Sequence, residues 1–223
     1  MSVVVDGQQS TSVPVTSGVP QGTVLGPLLF LCHINDLPSC VKSQVRLFAD
    51  DCLLYRQIRS QRDHQILQDD LNKLEKWAET WGMTFNASKC TILSINTKSS
   101  HFYMLQDQIL KQVPEHPYLG IILNEKLSWS PHVAKTARKA NAVLALLRRN
   151  LSFCPENCKR TAYIALVRSI MEYGAIVWDP YLKKDIDSLE RVQRRGARFI
   201  TKDYRSRDPG SMTQMLKNLD LPT

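Results

Sequence analysis

Two adjacent aspartates, Asp50 and Asp51, interrupt the apolar and aromatic stretch "LFADDCLLY" at residues 47–55. A carboxylate in such a setting is costly unless it is solvated, paired or bound to a metal. Strand-forming residues flank the pair on both sides, so the stretch predicts two short strands that meet at Asp50 and Asp51. The pair is then either a solvated hairpin turn, where aspartate is common, or a site for Mg²⁺ or Mn²⁺ at the tip of a hairpin.

The metal interpretation has a specific chemical requirement. Two divalent ions can activate an attacking hydroxyl and stabilise the leaving oxygen in phosphoryl transfer, and carboxylates hold both ions. Such a site usually needs a third carboxylate from a neighbouring strand. Residues 1–46 offer only Asp6 and Asp36, each in a turn or loop context, so the residues alone leave both interpretations open.

The positive charge is concentrated in one segment of the 223-residue chain. Residues 1–130 hold 11 Lys and Arg against 12 Asp and Glu, whereas residues 131–205 hold 16 against 7. This basic segment indicates either a polyanionic partner or only a solvated surface. Because the chain shows neither a signal peptide nor an apolar run of membrane-spanning length, we expect an intracellular protein, nuclear or cytoplasmic and not secreted, with no membrane partner. Its six cysteines are expected to be reduced.

Hydrophobic periodicity divides the chain into a mixed part and a helical part. One helical stripe consists of Leu67, Leu71, Leu74, Ala78 and Trp81, and a second consists of Val133, Ala137, Ala140, Leu144 and Leu147. Residues 155–178 and 184–200 predict two further helices. A hairpin around Asp6 and Gly7, a strand at "KCTILSI" and a strand at "YLGIIL" (residues 118–123) are predicted in the first part. The apolar run at residues 28–34 predicts a buried helix or strand, and Pro27 would start a helix there.

Several of these motifs occur in an order that resembles a known family. The segment "SGVPQGTVLGPLLFLCHINDLP" followed by "LFADD" is similar to the reverse transcriptases of non-LTR retrotransposons of the jockey-like type. Downstream, "WGMTFNASKCTILSI" resembles the next family motif, "YLGIIL" resembles the primer-grip segment, and "YGAIVWDP" and "LERVQRRGARFI" fit the region that follows. The resemblance implies an α+β fold: a partial palm at residues 1–125, with a short antiparallel sheet and packed helices, and a basic, all-helical thumb and connection at residues 126–223.

The resemblance also implies roles for individual residues. The metal ligands would be Asp50 and Asp51. Nucleotide and template would contact Pro20, Gln21, Gly22, Phe48 and Ala49, with the first three opening a helix that begins before Pro27. Lys89 would lie near the triphosphate as a proton donor, although a solvated lysine at a strand start is an equal alternative. Tyr118, Leu119 and Gly120 would hold the primer, the alternative being an ordinary core strand. The clustered charge, rather than the resemblance, predicts contacts to the nucleic-acid backbone, the alternative being cations that only keep the surface soluble; the residues are Arg138, Lys139, Arg148, Arg149, Arg194 and Arg195.

The family's polymerase domain has an earlier motif with another metal-binding aspartate, and a fingers subdomain, that we do not find here. We therefore expect the back half of an RNA-directed DNA polymerase, inactive alone, whose weakly held Mg²⁺ or Mn²⁺ lacks a ligand. Its partners would be an RNA template, a DNA primer and deoxynucleoside triphosphates. The alternative is an inactive transposon-derived remnant that binds nucleic acid through its basic helices. An unpaired sheet edge at the Asp50-Asp51 hairpin also predicts self-association.

Overall fold

The structure, a computed structural model, describes residues 2–15, 18–19, 21–96 and 101–221. Its strands are β1 (Val4–Val5), β2 (Gln8–Gln9), β3 (Gln44–Phe48), β4 (Asp51–Tyr55), β5 (Thr91–Ile92), β6 (Met104–Leu105), β7 (Gln108–Ile109), β8 (Lys111–Gln112), β9 (Glu115–Tyr118) and β10 (Ile121–Asn124). Its α-helices are α1 (Leu25–Ile34), α2 (Gln61–Thr80), α3 (Ser130–Asn150), α4 (Glu156–Tyr163), α5 (Ser169–Glu172), α6 (Ala175–Trp178), α7 (Lys183–Thr201) and α8 (Ser211–Asn218). Short 3₁₀ helices occupy Leu37–Cys40 and Ala87–Lys89, and a π-helical segment, Ile164–Arg168, joins α4 to α5.

The mixture of helices and short strands agrees with the predicted α+β class. The strands, however, form separate pairs in the described residues rather than one short antiparallel sheet. Four pairs are antiparallel hairpins, β1–β2, β3–β4, β6–β7 and β9–β10, and the fifth pair, β5–β8, is parallel. In the described part of the chain β3 and β4 pair only with each other, and self-association through their edges stays a prediction.

The prediction of one strand across "YLGIIL" is wrong, because the chain reverses direction inside it. Strand β9 ends at Tyr118 and β10 starts at Ile121, which lies opposite Tyr118 in the register. The two residues between them, Leu119 and Gly120, have φ angles of 47° and 82°. Positive φ at both central positions gives a two-residue turn whose twist matches that of the flanking strands. Glycine adopts this conformation without steric cost, so Gly120 was the turn signal.

The chain divides into two compact units, of which the first comprises Met1–Cys90 and Ser100–Leu110. Its core is formed where α2 packs against the β3–β4 hairpin and the end of α1. The buried residues of this core are Ile34, Leu37, Val45, Leu74, Trp77 and Ala78. The predicted stripe of α2 is thus confirmed at Leu74 and Ala78, whereas Trp81 lies just past the helix and is half exposed. Gly82 follows with a φ of 65°, in agreement with the predicted helix stop.

Helix α1 starts at Leu25, before Pro27, as the family resemblance implies and against the start signal of the proline. The prediction that this apolar run is buried is wrong for most of its length. Leu25, Leu28, Leu29 and Leu31 are more than half exposed, whereas Ile34 is buried in the core and Phe30 packs against it. Sequence hydrophobicity alone does not reveal whether a covering element is present.

The second unit comprises Thr91–Ser99 and Lys111–Thr223 and is mainly helical. All five residues of the predicted α3 stripe are buried, and the last four of them share one core with residues of α4, α7 and α8. The helix predicted at residues 155–178 is interrupted at Tyr173 and Gly174, where Gly174 adopts a φ of 64°. Helix α8 was not predicted. The described part of the chain contains no helix with the length and apolar composition that crossing a bilayer requires.

Candidate functional site

The predicted hairpin of the two aspartates is confirmed, with a two-residue turn formed by Ala49 and Asp50. Asp51 is the first residue of β4 and lies directly opposite Phe48 in the register. Ala49 has a φ of 49°, a conformation that a small side chain tolerates better than a β-branched one. Both carboxylates therefore project from the tip of the hairpin, and both aspartates are exposed.

The two faces of this hairpin have different environments, because side chains alternate along a strand. Val45 and Leu47, with their partners Leu54 and Cys52, face the core beneath α2. Burial raises the pKa of the Cys52 thiol to about 11, so this cysteine is a neutral core side chain.

The opposite face carries polar, charged and aromatic groups. The Arg46 guanidinium lies 5.8 Å from the centroid of the Tyr55 ring, and the Tyr55 hydroxyl donates to Gln44 Oε1 at 2.5 Å. Phe48 is 61% exposed on this face, beside Asp51. The outer face of the hairpin thus combines exposed aromatic rings, a cation and the aspartate pair.

Neither aspartate of the pair has an ion-pair or hydrogen-bond partner among the described residues. Adjacent, exposed carboxylates are oxygen donors of the kind that Mg²⁺ and Mn²⁺ prefer. The described residues contain no cluster of three or more His, Cys, Asp or Glu side chains arranged to hold a metal. The two carboxylates therefore fit a divalent cation by the chemistry of their oxygen donors.

A buried carboxylate fixes the position of the hairpin relative to α2. Asp70 is fully buried, and its oxygens accept hydrogen bonds from the backbone N–H groups of Lys42 at 3.0 Å and Ser43 at 2.7 Å. Lys73 donates to the same carboxylate at 3.0 Å. Because Lys42 and Ser43 directly precede β3, these bonds hold the start of the hairpin against the helix.

The other residues predicted to contact nucleotide and template lie on short loops of the first unit. Gln21 and Gly22 form a turn, with a φ of 88° at Gly22, three residues before α1 begins at Leu25. They precede that helix and do not open it, and Pro20 lies outside the described residues. Lys89 is the exposed last residue of the short 3₁₀ helix, with no partner among the described side chains.

The residues predicted to hold the primer are the end of β9 and the β9–β10 turn in the second unit. The Tyr173 hydroxyl donates to the Leu119 carbonyl at 3.0 Å, and a Cβ at Gly120 would lie 3.1 Å from Tyr173 Cε1. His132 Nδ1 accepts from the Ile122 backbone N–H at 3.2 Å. Burial and the nearby Lys135 lower the pKa of His132, which keeps the imidazole neutral and able to accept this bond. The turn is therefore fastened to the helical part of its unit.

The predicted backbone-binding residues are all exposed on α3 and α7, but they differ in their surroundings. On α3, Arg138, Asn141 and Arg148 recur at helical spacing and share a face. Arg195 of α7 donates to Asn141 Oδ1 at 2.8 Å and so adjoins this face. By contrast, Arg194 is paired with Glu190 on its own helix at 3.2 Å. We call Arg138, Arg148 and Arg195 the basic face.

Sequence reasoning missed a cleft of about 620 Å³ in the second unit. Cationic and aromatic side chains line it: Arg148, Arg149, Lys159, Lys202, Phe199 and Tyr204. Only the two arginines were among the predicted site residues. A signal was present at Lys159, because it lies four residues before the buried Tyr163 and eight before the buried Val167, on the apolar side of its helix.

Comparison with known proteins identifies the same family that the sequence motifs resemble. Residues 1–123 match the family "Reverse transcriptase (RNA-dependent DNA polymerase)". In Drosophila melanogaster, the RNA-directed DNA polymerase from mobile element jockey is 27% identical over 215 residues, which are 89% of this chain and 23% of that protein. The probable RNA-directed DNA polymerases from transposon X-element and transposon BS are 31% and 32% identical, over 86% and 87% of this chain and 22% and 23% of their own lengths.

The chain thus spans less than a quarter of the length of these curated relatives. No solved structure matches it significantly. The family match includes the Asp50-Asp51 hairpin, and the relatives also match most of the helical second unit. The chain belongs to the reverse transcriptase family and is a reverse transcriptase fragment of the non-LTR retrotransposon type.

Proposed function

We propose that this chain supplies part of the palm (residues 1–125) and the thumb and connection (residues 126–223) of an RNA-directed DNA polymerase. The observation that carries this proposal is the pair of exposed carboxylates, Asp50 and Asp51, which have no partner among the described residues, on a hairpin whose other face is packed into a core. A rigid hairpin that presents free oxygen donors is suited to hold Mg²⁺ or Mn²⁺. When bound, such ions supply charge stabilisation for transfer of a nucleotide to a primer 3′-hydroxyl.

The outer face of the β3–β4 hairpin then lies towards the primer and the RNA template. Phe48 and Ala49 contact the primer end, and the small side chain of Ala49 leaves room for the strand to approach the carboxylates. Pro20, Gln21 and Gly22 contact the incoming deoxynucleoside triphosphate and the templating base. Lys89, exposed and unpaired among the described residues, donates a proton near the triphosphate. The Tyr118, Leu119 and Gly120 segment holds the primer.

Two carboxylates are fewer than a two-metal centre requires, and no third acidic, histidine or cysteine ligand joins them in the described residues. For this chain alone we therefore expect weak cation binding and no extension of a primed RNA template. Extension that depends on Asp50 in the purified chain would show that another carboxylate, for example from a second copy, completes the centre.

Titration with Mn²⁺, followed by the paramagnetic relaxation of water protons, tests the metal assignment. We expect weak binding that Asp50→Asn abolishes. Asp107→Asn is a matched control, because Asp107 is also an exposed aspartate in a two-residue hairpin turn of the first unit but has no acidic neighbour in the sequence. Binding that survives Asp50→Asn, or that falls equally in the control, would contradict the assignment.

A second function, binding of nucleic-acid backbone, is favoured by the basic face of α3 and α7. Arg138, Arg148 and Arg195 are exposed, and none of them forms an ion pair with the described residues. Phosphate binding releases counterions, so the affinity of such a face falls steeply with salt whatever the sequence. This function would remain in an inactive transposon-derived remnant.

Replacement of Arg138 and Arg195 by glutamine in the full chain tests this role. Each lost phosphate contact should reduce the log–log salt slope of single-strand binding by about 0.7. Substituting glutamine for Arg62 and Lys76, two exposed cations of α2 in the first unit, removes the same charge and serves as the control. Equal slopes in the two double variants would argue against a specific role for the basic face.

A further inference from the structure

The cleft in the second unit collects positive charge that its own residues do not neutralise. Arg148 and Arg149 of α3, Lys159 of α4 and Lys202 after α7 line it, and no acidic side chain of the described residues does. The nearest acidic group along the chain is Asp203, whose carboxylate accepts instead from the backbone N–H groups of Arg205 at 2.9 Å and Ser206 at 3.0 Å. The cleft is open to solvent and large enough for a phosphate group with part of a nucleotide.

Lys159 is the residue that most needs an explanation. Only 1% of the residue is exposed, and its ammonium group, which is not fully enclosed, forms no ion pair with an acidic side chain in the described part of the chain. The ammonium lies 5.7 Å from the centroid of the Phe199 ring, a cation–π contact that offsets only part of the cost of burial. Burial, and then the neighbouring Lys202 ammonium, lower the pKa of Lys159, and Cys154 and Glu156 do not outweigh them.

A purely structural account explains some of these cations but not Lys159. Arg148 and Arg149 are in the last turn of α3, and Lys202 is the C-cap of α7, where cations complement the negative end of the helix dipole. Lys159 is in the first turn of α4, at the positive end of the dipole. A buried cation near other cations at that end is destabilising without an anion, and such strain is commonly retained at binding sites.

We infer that this cleft, here called the phosphate cleft, binds the phosphate group of a nucleotide unit between Lys159, Lys202 and the two arginines. The inference rests on the proposed nucleic-acid role and assigns one place in the second unit where a phosphate group binds. An anion at this point pairs with the desolvated Lys159 ammonium and relieves its repulsion with Lys202, so binding contributes more there than at a fully solvated lysine.

Tyr204 supplies a second element of recognition. Its ring is 45% exposed at the edge of the cleft, and the Arg148 guanidinium lies 5.5 Å from its centroid. A nucleobase attached to the bound phosphate can stack on an exposed ring of this kind, which favours a single strand or a free nucleotide over a rigid duplex. The cleft also adjoins the basic face through Arg148, so a strand that follows that face reaches the cleft.

The test compares inorganic phosphate, thymidine 5′-monophosphate and a short oligothymidylate as ligands of the full chain, by calorimetry. Lys159→Met should weaken binding of each ligand about ten-fold, since it removes one charge-assisted contact. The same substitution should raise the melting temperature or leave it unchanged, because it removes an unpaired buried charge. Lys202→Gln, at an exposed residue, should weaken binding to a similar extent and provides the test if Lys159→Met does not fold.

Lys184→Gln is the matched control, because Lys184 is an exposed lysine at the opposite end of α7, about 27 Å from Lys202 by helical rise. The inference is overturned if the wild type binds none of the ligands, or if the cleft variants bind like the control. It is also overturned if strand binding depends on the basic face alone and neither phosphate nor the mononucleotide binds in the cleft, a result that leaves the proposed function standing. Mononucleotide binding in the cleft without strand binding supports the cleft, identifies free nucleotides as its ligands and contradicts the nucleic-acid role.

Discussion

Replacing Asp70 with asparagine removes the buried charge that fastens α2 to the start of β3. The Asp70 carboxylate accepts from two backbone N–H groups and from the Lys73 ammonium. The asparagine oxygen can accept from only one of the two backbone donors, and its NH₂ group must face the other. The loss of one charge-assisted bond, with a donor left unpaired, costs about 3 kcal/mol of unfolding free energy. Lys73 is 41% exposed, so its ion pair adds less than about 1 kcal/mol.

The effect of Asp70→Asn should depend on pH in a defined direction. Burial alone would raise the pKa of Asp70, but the hydrogen bonds from Lys42, Ser43 and Lys73 outweigh it and hold the pKa below the ordinary value of 3.8. The folded state therefore favours the charged carboxylate, and this stabilisation is complete at a pH above the pKa of Asp70 in the unfolded state. The stabilisation is lost as the pH falls through the pKa of Asp70 in the folded state. The difference between wild type and Asp70→Asn should shrink in acid.

Urea denaturation followed by tryptophan fluorescence measures the cost, since Trp77 is buried in the same core. Amide hydrogen exchange adds a local measurement, because the Lys42 and Ser43 amides should exchange faster in the variant. Asp69→Asn is the control: Asp69 is exposed, accepts a hydrogen bond from the Gln65 side-chain amide and from no other group of the described residues, and should change stability by less than about 0.5 kcal/mol. An Asp70→Asn cost no larger than that of the control, or one that persists unchanged in acid, would refute the reasoning.

Two further predictions concern single side chains. Gly196→Ala should destabilise the second unit by about 2 kcal/mol, against the usual gain from alanine in a helix, because the new Cβ would lie 2.2 Å from Cε2 of the buried Tyr163; thermal denaturation measures this, and an increase in melting temperature would contradict it. Asp63→Ala should fray the start of α2, because Asp63 accepts from the backbone N–H groups of Arg59 and Ser60 and its pKa is lowered to about 2. The protection that Asp63 gives should be present above pH 3.8 and disappear as the pH falls towards 2, as amide exchange in the first turn of α2 would show.

Periodic apolar residues on long segments made the helices predictable from the sequence. The α3 stripe from Val133 to Leu147 is fully buried because five residues at helical spacing leave little choice of face. The hairpin at Asp50 and Asp51 was predictable for a related reason, since strand-forming residues flank a polar turn. The reversal at Leu119 and Gly120 was missed because the apolar residues on both sides look continuous, and a single glycine carried the turn signal.

The exposure of α1 could not be predicted from composition. Its leucines report that the segment is apolar, not whether another element covers it. Likewise, the resemblance to reverse transcriptases identified the two aspartates by their position in a motif. The structure adds that they are exposed and unpartnered in its described residues.

Asp70 in α2 and Lys159 in α4 are two of the buried charged residues, and they lie on the apolar sides of their helices with different surroundings. Both were missed because a charge at a stripe position looks like an interruption of the stripe. Asp70 has three donors within 3.0 Å, so its burial is compensated within the first unit and its role is to hold the hairpin. Lys159 has no acceptor among the described residues and faces a cleft lined by other cations. A buried charge whose neighbours do not compensate it either costs stability without return or is compensated by a ligand. Lys159→Met should raise stability or leave it unchanged in both cases, but it should lower phosphate affinity only if a ligand compensates the charge, so the phosphate affinity of this one variant distinguishes them.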